Sequence, residues 1–211
     1  MEQLDKISEQ IRTEFEQTNA ARDLAYQRSR KLISLCARTI RATHREEWET
    51  AESLLAEAQA AKETLVADVK PYCNLYYAGY TQDAIKEYVE ARLTYALVRQ
   101  RPLPTPEELQ AESNTWLNGL AEAATELRRR ILDIIRHGYT EEAERLLDSM
   151  DLIYSVLVTF DFNDSITGGL RRRTDTVRAV LERTRGDVTN SLRQAQLEEA
   201  LQSLEKKLGN R

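Results

Sequence analysis

Residues that interrupt helices or build common catalytic centres are scarce in this 211-residue chain. It has 7 Gly and 4 Pro, and no glycine-rich run of the kind that cradles phosphates. Its two cysteines, Cys36 and Cys73, are far apart, which disfavours a zinc site or a disulfide framework. Its two histidines, His44 and His137, each fall near the end of a predicted helix. We expect them to be solvated or capping groups rather than catalytic bases.

Long apolar runs are also absent from the sequence. No segment approaches the ~18 apolar residues that a membrane span needs. The first ten residues, MEQLDKISEQ, are too polar for the core of a signal peptide. We therefore expect a cytoplasmic protein with reduced thiols and no membrane partner.

What the chain contains in quantity are good helix formers, with aromatic residues at only 7%. Apolar residues recur at helical spacing along most of it. These patterns predict an all-α fold, a single-domain bundle of about seven helices that covers residues 1–211. The first helix should be long, because no Gly or Pro interrupts residues 1–70, and the last should be long, because its apolar series runs from Leu170 to Leu208. Thr81 and Thr140 are predicted helix N-caps, and Thr105 with Glu108 predicts a capping box.

A leucine series continues into the C-terminal tail. Leu197, Leu201, Leu204 and Leu208 follow a 4-3-4 spacing, which places them on one side of a helix. We expect this leucine seam to pack on another helix or on another subunit.

Charge is distributed unevenly, although the net charge is only -5. Residues 22–45 contain seven Arg or Lys and one acid, and residues 171–193 contain seven Arg and three acids. Arginine binds phosphate with two parallel hydrogen bonds and stacks on bases. The candidate nucleic-acid-binding residues are Arg128, Arg129, Arg171, Arg172, Arg173 and Arg178. The alternative is that these arginines lie on ordinary solvated helix faces, with Arg130 paired to Glu126 one turn away.

Two pairs of acidic residues share helical faces. Glu87 and Glu90 are three residues apart, and Glu122 and Glu126 are four apart. Two such pairs on adjacent helices could hold Mg²⁺ or Mn²⁺, which prefer oxygen ligands. A bound ion of this kind can activate water for attack on a phosphodiester. The alternative is that both pairs point to water, where their mutual repulsion costs only a few tenths of a kcal/mol.

Four segments, in order and spacing, resemble the translin family. They are residues 22–44, Tyr76-Tyr77 leading into residues 87–91, residues 117–127, and the arginine-rich helix after Leu170. The resemblance covers roughly residues 20–190. It implies a translin-like fold, assembly into a closed homo-oligomeric shell (typically an octamer) with an internal cavity, and binding of single-stranded RNA or DNA. The cavity face is where any chemistry is expected.

One branch of the family, translin-associated factor X, is a Mg²⁺-dependent endoribonuclease. The resemblance assigns catalytic and metal-binding roles to Glu87 and Glu90, which match its EYVEA motif, and to Glu122 and Glu126. Glu122 departs from the pattern, because the branch has Asp there. We therefore expect an endoribonuclease that acts on single-stranded RNA. Two alternatives are a translin-like shell that binds nucleic acid without chemistry and a scaffold that binds proteins through the leucine seam.

Overall fold

Helices account for most of residues 1–209, the part of the chain that the computed structural model describes. In chain order they are α1 (Glu2–His44), α2 (Trp48–Val69), α3 (Cys73–Tyr76), α4 (Gly79–Val98), α5 (Pro106–Leu109), α6 (Ser113–Ile135), α7 (Glu141–Leu157), α8 (Asp164–Thr167) and α9 (Leu170–Gly209). Within this range there is no strand, which confirms the predicted all-α fold. The single domain predicted for residues 1–211 includes residues 210 and 211, which lie outside the described residues.

The order of packing places α4 and α6 at the centre of the bundle. Helix α4 contacts α1, α2 and α6, and α6 contacts α7 and α9 in addition. Because neighbouring helices cover α4 on several sides, buried residues occur all around this helix and not along one face only. Several large side chains on these two central helices are fully buried, among them Ile85, Leu93, Leu127 and Ile131. A charged side chain on α4 therefore lies close to the core.

The predicted helix starts are confirmed at two positions and wrong at the third. Thr105 and Glu108 form the capping box at α5, and the Thr140 hydroxyl accepts a hydrogen bond from the Ala143 N–H at α7. Thr81 does not cap α4, which begins at Gly79. The buried Thr81 hydroxyl instead donates to the Leu75 carbonyl at 2.8 Å, because the one-turn helix α3 lies next to it.

Both terminal helices extend beyond the bundle. The first buried residue of α1 is Ala25, and larger apolar side chains nearer its start are exposed, such as Phe15 at 68%. The four leucines of the seam on α9 are 51–62% exposed, so they pack on no other described helix of the same chain. None of the described helices is both long and apolar enough to cross a membrane.

Candidate functional site

A glycine lets α4 and α6 approach closely at the candidate site. The helices run side by side in the same direction, with Thr115 bonded to Gln82 and Glu122 bonded to Lys86. A Cβ atom at Gly119 would lie 2.7 Å from Cγ1 of Val89 and 3.1 Å from the Lys86 carbonyl oxygen. Only glycine fits that gap without a shift of one helix. This contact brings the acidic pairs of the two helices together.

Three of the four predicted carboxylates converge. Glu87, Glu90 and Glu122 each offer one oxygen, and these oxygens lie within 4.8 Å of one another. Oxygen ligands about 2.0–2.6 Å from a common ion lie at such separations. The donor set is all carboxylate, which suits Mg²⁺ or Mn²⁺. The side chains present therefore fit a hard divalent cation.

Two basic side chains contact the same carboxylates. Nζ of Lys86 lies 2.6 Å from one oxygen of Glu122, 2.8 Å from the other and 3.4 Å from Glu87. Arg173 on α9 donates from Nε to Glu122 at 3.0 Å, and its NH1 nitrogen donates to the Asn118 side-chain oxygen at 3.1 Å. Glu122 is thus bound by cations from two helices.

The pKa of Glu90 is shifted more than that of any other carboxyl group in the cluster. Burial raises the pKa of Glu90 to about 9, and the neighbouring carboxylates of Glu87, Glu122 and Glu126 add to the effect. Burial likewise raises the pKa of Glu87, although Lys86 opposes that shift. Carboxyl groups that are buried beside like charges favour the protonated form. A divalent cation would stabilise the ionised form of both.

Glu126, the fourth predicted carboxylate, is held by His44 at the end of α1. Nε2 of His44 and Oε2 of Glu126 are 2.7 Å apart, and this hydrogen bond is the main cause that lowers the pKa of Glu126. The expectation that His44 is solvated or a cap is wrong, because its side chain is only 3% exposed. Glu126 therefore stays ionised beside the three-carboxylate cluster without belonging to it.

The predicted nucleic-acid-binding arginines divide into exposed side chains, of which Arg178 pairs with Asp175 at 3.8 Å, and side chains that are engaged within the bundle. Exposed side chains are those of Arg129, Arg171, Arg172 and Arg178. Arg173 is engaged with Glu122, and Arg128 with Asp187 at 2.8 Å. The alternative pair of Arg130 with Glu126 does not form. Arg130 is buried and binds Glu142 on α7 at 3.0 Å, since the end of α6 packs against that helix.

Comparisons with known proteins identify the fold. No protein-family model matches the chain. An uncharacterized protein of Methanocaldococcus jannaschii is 30% identical over 130 residues, which are 61% of this chain and 58% of that protein. The match thus spans less than two thirds of that relative's length.

Solved structures match over more of the chain. The apo-NeC3PO crystal structure, with 21% identity, covers 87% of this chain and 96% of its own at a TM-score of 0.79, and it shows the fold. The AfC3PO crystal structure has 30% identity, covers 87% and 95%, and reaches a TM-score of 0.80. A complex of AfC3PO with duplex RNA has 32% identity, the same coverage and a TM-score of 0.75. C3PO is the assembly of translin and translin-associated factor X. This chain belongs to the translin family.

Within this translin-family chain, sequence reasoning missed Lys86 and His44 as parts of the site. Lys86 directly precedes Glu87, and consecutive helical residues do not face each other, so spacing gave no signal for it. An exposed basic stripe on α1 was also left out of the predicted binding residues. Arg38 and Arg41 on α1, with Arg45 directly after the helix, are exposed and lie one turn apart, and Arg41 is one turn from His44. Their place in the basic block of residues 22–45 was the available signal.

Proposed function

We propose that this protein binds RNA and is a Mg²⁺-dependent endoribonuclease that cuts single-stranded RNA inside a homo-oligomeric shell. The observation that carries the proposal is the convergence of Glu87, Glu90 and Glu122 from two helices onto one point. Glu90 is buried and Glu87 and Glu122 are half-buried, whereas surface acids that point to water would be exposed. Membership of the translin family supports the same interpretation, and the factor X branch remains part of the proposal.

The four carboxylates divide into two roles in the proposed reaction. Glu87, Glu90 and Glu122 would hold Mg²⁺ or Mn²⁺, which supplies an activated water and stabilises charge on the phosphodiester. Glu126, kept ionised by His44, is placed to accept a proton from the attacking water at Oε1, since Oε2 is occupied. Glu122 is one methylene longer than the Asp of the factor X branch, and its contacts with Lys86 and Arg173 hold it in the cluster.

The exposed arginines supply the proposed RNA contacts. Arg129 lies near Glu126, close enough that its charge lowers the pKa of that carboxyl. Arg171, Arg172 and Arg178 line the exposed side of α9, the helix that also presents Arg173 to Glu122. A related AfC3PO structure is a complex with duplex RNA, which supports RNA as the ligand. Phosphate contacts of this kind weaken as salt rises.

Assembly into a shell, with eight subunits as the family resemblance implies, is also proposed. Exposed apolar side chains on the extended ends of α1 and α9 support it, because contiguous apolar surface of this kind marks interaction sites. A second copy of the chain is the occupant we propose for these surfaces. Light scattering of the purified protein measures the subunit number directly.

The test of function is cleavage of an end-labelled single-stranded RNA by purified protein with Mg²⁺, with EDTA, and after substitution of Glu87, Glu90, Glu122 and Glu126 by Gln. A duplex RNA and a single-stranded DNA of the same sequence run beside it. We expect products only from the unmodified protein with Mg²⁺ and single-stranded RNA. Because the quadruple variant removes buried charge, its circular dichroism spectrum serves as the control for folding.

A second candidate function is a nucleic-acid-binding shell without chemistry. The observation that favours it is the neutralisation of Glu122 by Lys86 and Arg173. RNA that is bound but intact under every condition supports this function and contradicts the nuclease. RNA that is neither bound nor cut contradicts both.

A further inference from the structure

The ammonium of Lys86 lies between carboxylates of two different helices. It bridges Glu122 on α6, at 2.6 and 2.8 Å, and Glu87 on α4, at 3.4 Å. The side chain is 11% exposed, so its stem is packed in the bundle and only its tip reaches the cluster. Two of the three converging carboxylates thus share this one ammonium.

Arg173, the other cation of the cluster, is held differently. Its Nε donates to Glu122, while its NH1 nitrogen donates to the Asn118 side-chain oxygen and to the Gly168 carbonyl. These additional acceptors fix the guanidinium at the edge of the cluster. The structure shows no ion pair between Arg173 and Glu87 among the described residues. Arg173 therefore offsets the charge of Glu122 but does not bridge it to another carboxylate of the cluster.

An ammonium and a divalent cation compete for the same carboxylate oxygens, because each draws on their lone pairs and the two positive charges repel. A bound Mg²⁺ or Mn²⁺ takes carboxylate oxygens at about 2.0–2.2 Å and repels a neighbouring positive charge. Lysine carries its charge on a flexible four-carbon stem with three rotatable donors, so it can withdraw from a carboxylate by changing rotamers. The planar guanidinium of Arg173, bound on several sides, has no comparable freedom.

We propose that Lys86 is an internal counter-ion that competes with the divalent metal for Glu87 and Glu122 and must withdraw before the metal is held. This inference rests on the metal site of the proposed function. In the metal-free protein the lysine offsets part of the repulsion among the clustered carboxylates. When metal is present, the same contact becomes a cost that lowers its affinity. The lysine thereby sets the metal concentration at which the site fills.

The test measures Mn²⁺ affinity by electron paramagnetic resonance of the free ion, without RNA and without any activity readout. Lys86→Met should bind Mn²⁺ about tenfold more tightly than the unmodified protein, within the usual range of coupling between two ligands. Lys86→Arg retains a cation at the position and should bind Mn²⁺ as weakly as the unmodified protein. Arg173→Met removes an equal charge from the edge of the cluster and should raise the affinity much less.

The outcomes separate the competition from the metal site itself. Equal affinities for Lys86→Met and the unmodified protein overturn the competition and leave the metal site standing. Equal increases for Lys86→Met and Arg173→Met also overturn it, because net charge then explains the change. Absence of Mn²⁺ binding in every protein overturns the proposed metal site and the competition with it.

A second measurement uses the unmodified protein, in case Lys86→Met does not fold. Acetylation of lysines by a water-soluble reagent is followed by mass spectrometry with and without saturating Mn²⁺. Withdrawal from the carboxylates should increase modification of Lys86 several-fold while that of the exposed Lys31 stays constant. Unchanged modification of Lys86 at saturating Mn²⁺ contradicts the proposal.

Discussion

His44 and Glu126 form a largely buried pair in which Nε2 and Oε2 are 2.7 Å apart, although 82 residues separate them in the sequence. The pair joins the end of α1 to α6 beside the carboxylate cluster. It positions the carboxylate that we propose as the proton acceptor.

The first prediction concerns the energy of that pair. In a double-mutant cycle of His44→Ala and Glu126→Gln, we expect a coupling of about 1–2 kcal/mol in the free energy of unfolding, because a hydrogen bond to a charged group is lost. Urea denaturation supplies the measurement. His137→Ala is the matched control, since that histidine is exposed, and it should change stability little. Purely additive effects in the cycle would show that the pair contributes nothing.

The second prediction follows from the pKa of Glu90, raised from 4.5 to about 9. The folded state favours the protonated carboxyl, so its stabilisation is complete below about pH 4.5 and is lost as the pH rises toward 9. One pKa unit corresponds to about 1.4 kcal/mol, so even half of this shift would lower the free energy of unfolding by about 3 kcal/mol between those limits. In EDTA, the free energy of unfolding of the unmodified protein should therefore fall across this pH range. That of the Glu90→Gln variant should fall much less. Parallel pH profiles for the two proteins would contradict the assignment.

The third prediction concerns the close approach of α4 and α6. Gly119→Ala places a methyl group 2.7 Å from Cγ1 of Val89, which should lower the free energy of unfolding by about 1–3 kcal/mol. Gly186→Ala is the control, because this glycine lies within α9 and a methyl group there would meet no atom within 4 Å. Gly186→Ala should raise stability by about 0.5–1 kcal/mol through helix propensity alone. A loss of similar size in both variants would argue against the close contact.

The fourth prediction tests the phosphate contacts of α9. Arg171→Gln with Arg172→Gln should weaken RNA binding and reduce the dependence of log K on log salt by about 1.4, or about 0.7 for each lost contact with a single strand. Fluorescence anisotropy at several salt concentrations measures this slope. Lys206→Gln with Lys207→Gln removes the same charge at the far end of the helix and should leave the slope unchanged. Equal losses in both double variants would indicate a nonspecific effect of net charge.

Local patterns in the sequence were sufficient for most of the fold. Helical spacing predicted the long α1, and side-chain chemistry predicted the caps at Thr105 and Thr140. At Thr81 the local signal failed, because the hydroxyl bonds to the Leu75 carbonyl across a turn between two helices. The preference for a cap was weaker than this tertiary contact.

The candidate site was predictable only in part. Spacing placed Glu87 with Glu90 and Glu122 with Glu126, and family resemblance joined the two pairs. Neither spacing nor resemblance predicted that Lys86 binds Glu122, 36 residues away, or that His44 binds Glu126. Such contacts depend on how whole helices pack, since the partners share no helical face.

The most direct test of the central claim is a crystal structure of the protein soaked with Mn²⁺ and measured at the manganese absorption edge. We predict an anomalous peak among the carboxylates of Glu87, Glu90 and Glu122, with Nζ of Lys86 displaced from Glu122. No peak among these side chains, in crystals where Mn²⁺ binds elsewhere at the same concentration, would contradict the metal centre and the nuclease built on it.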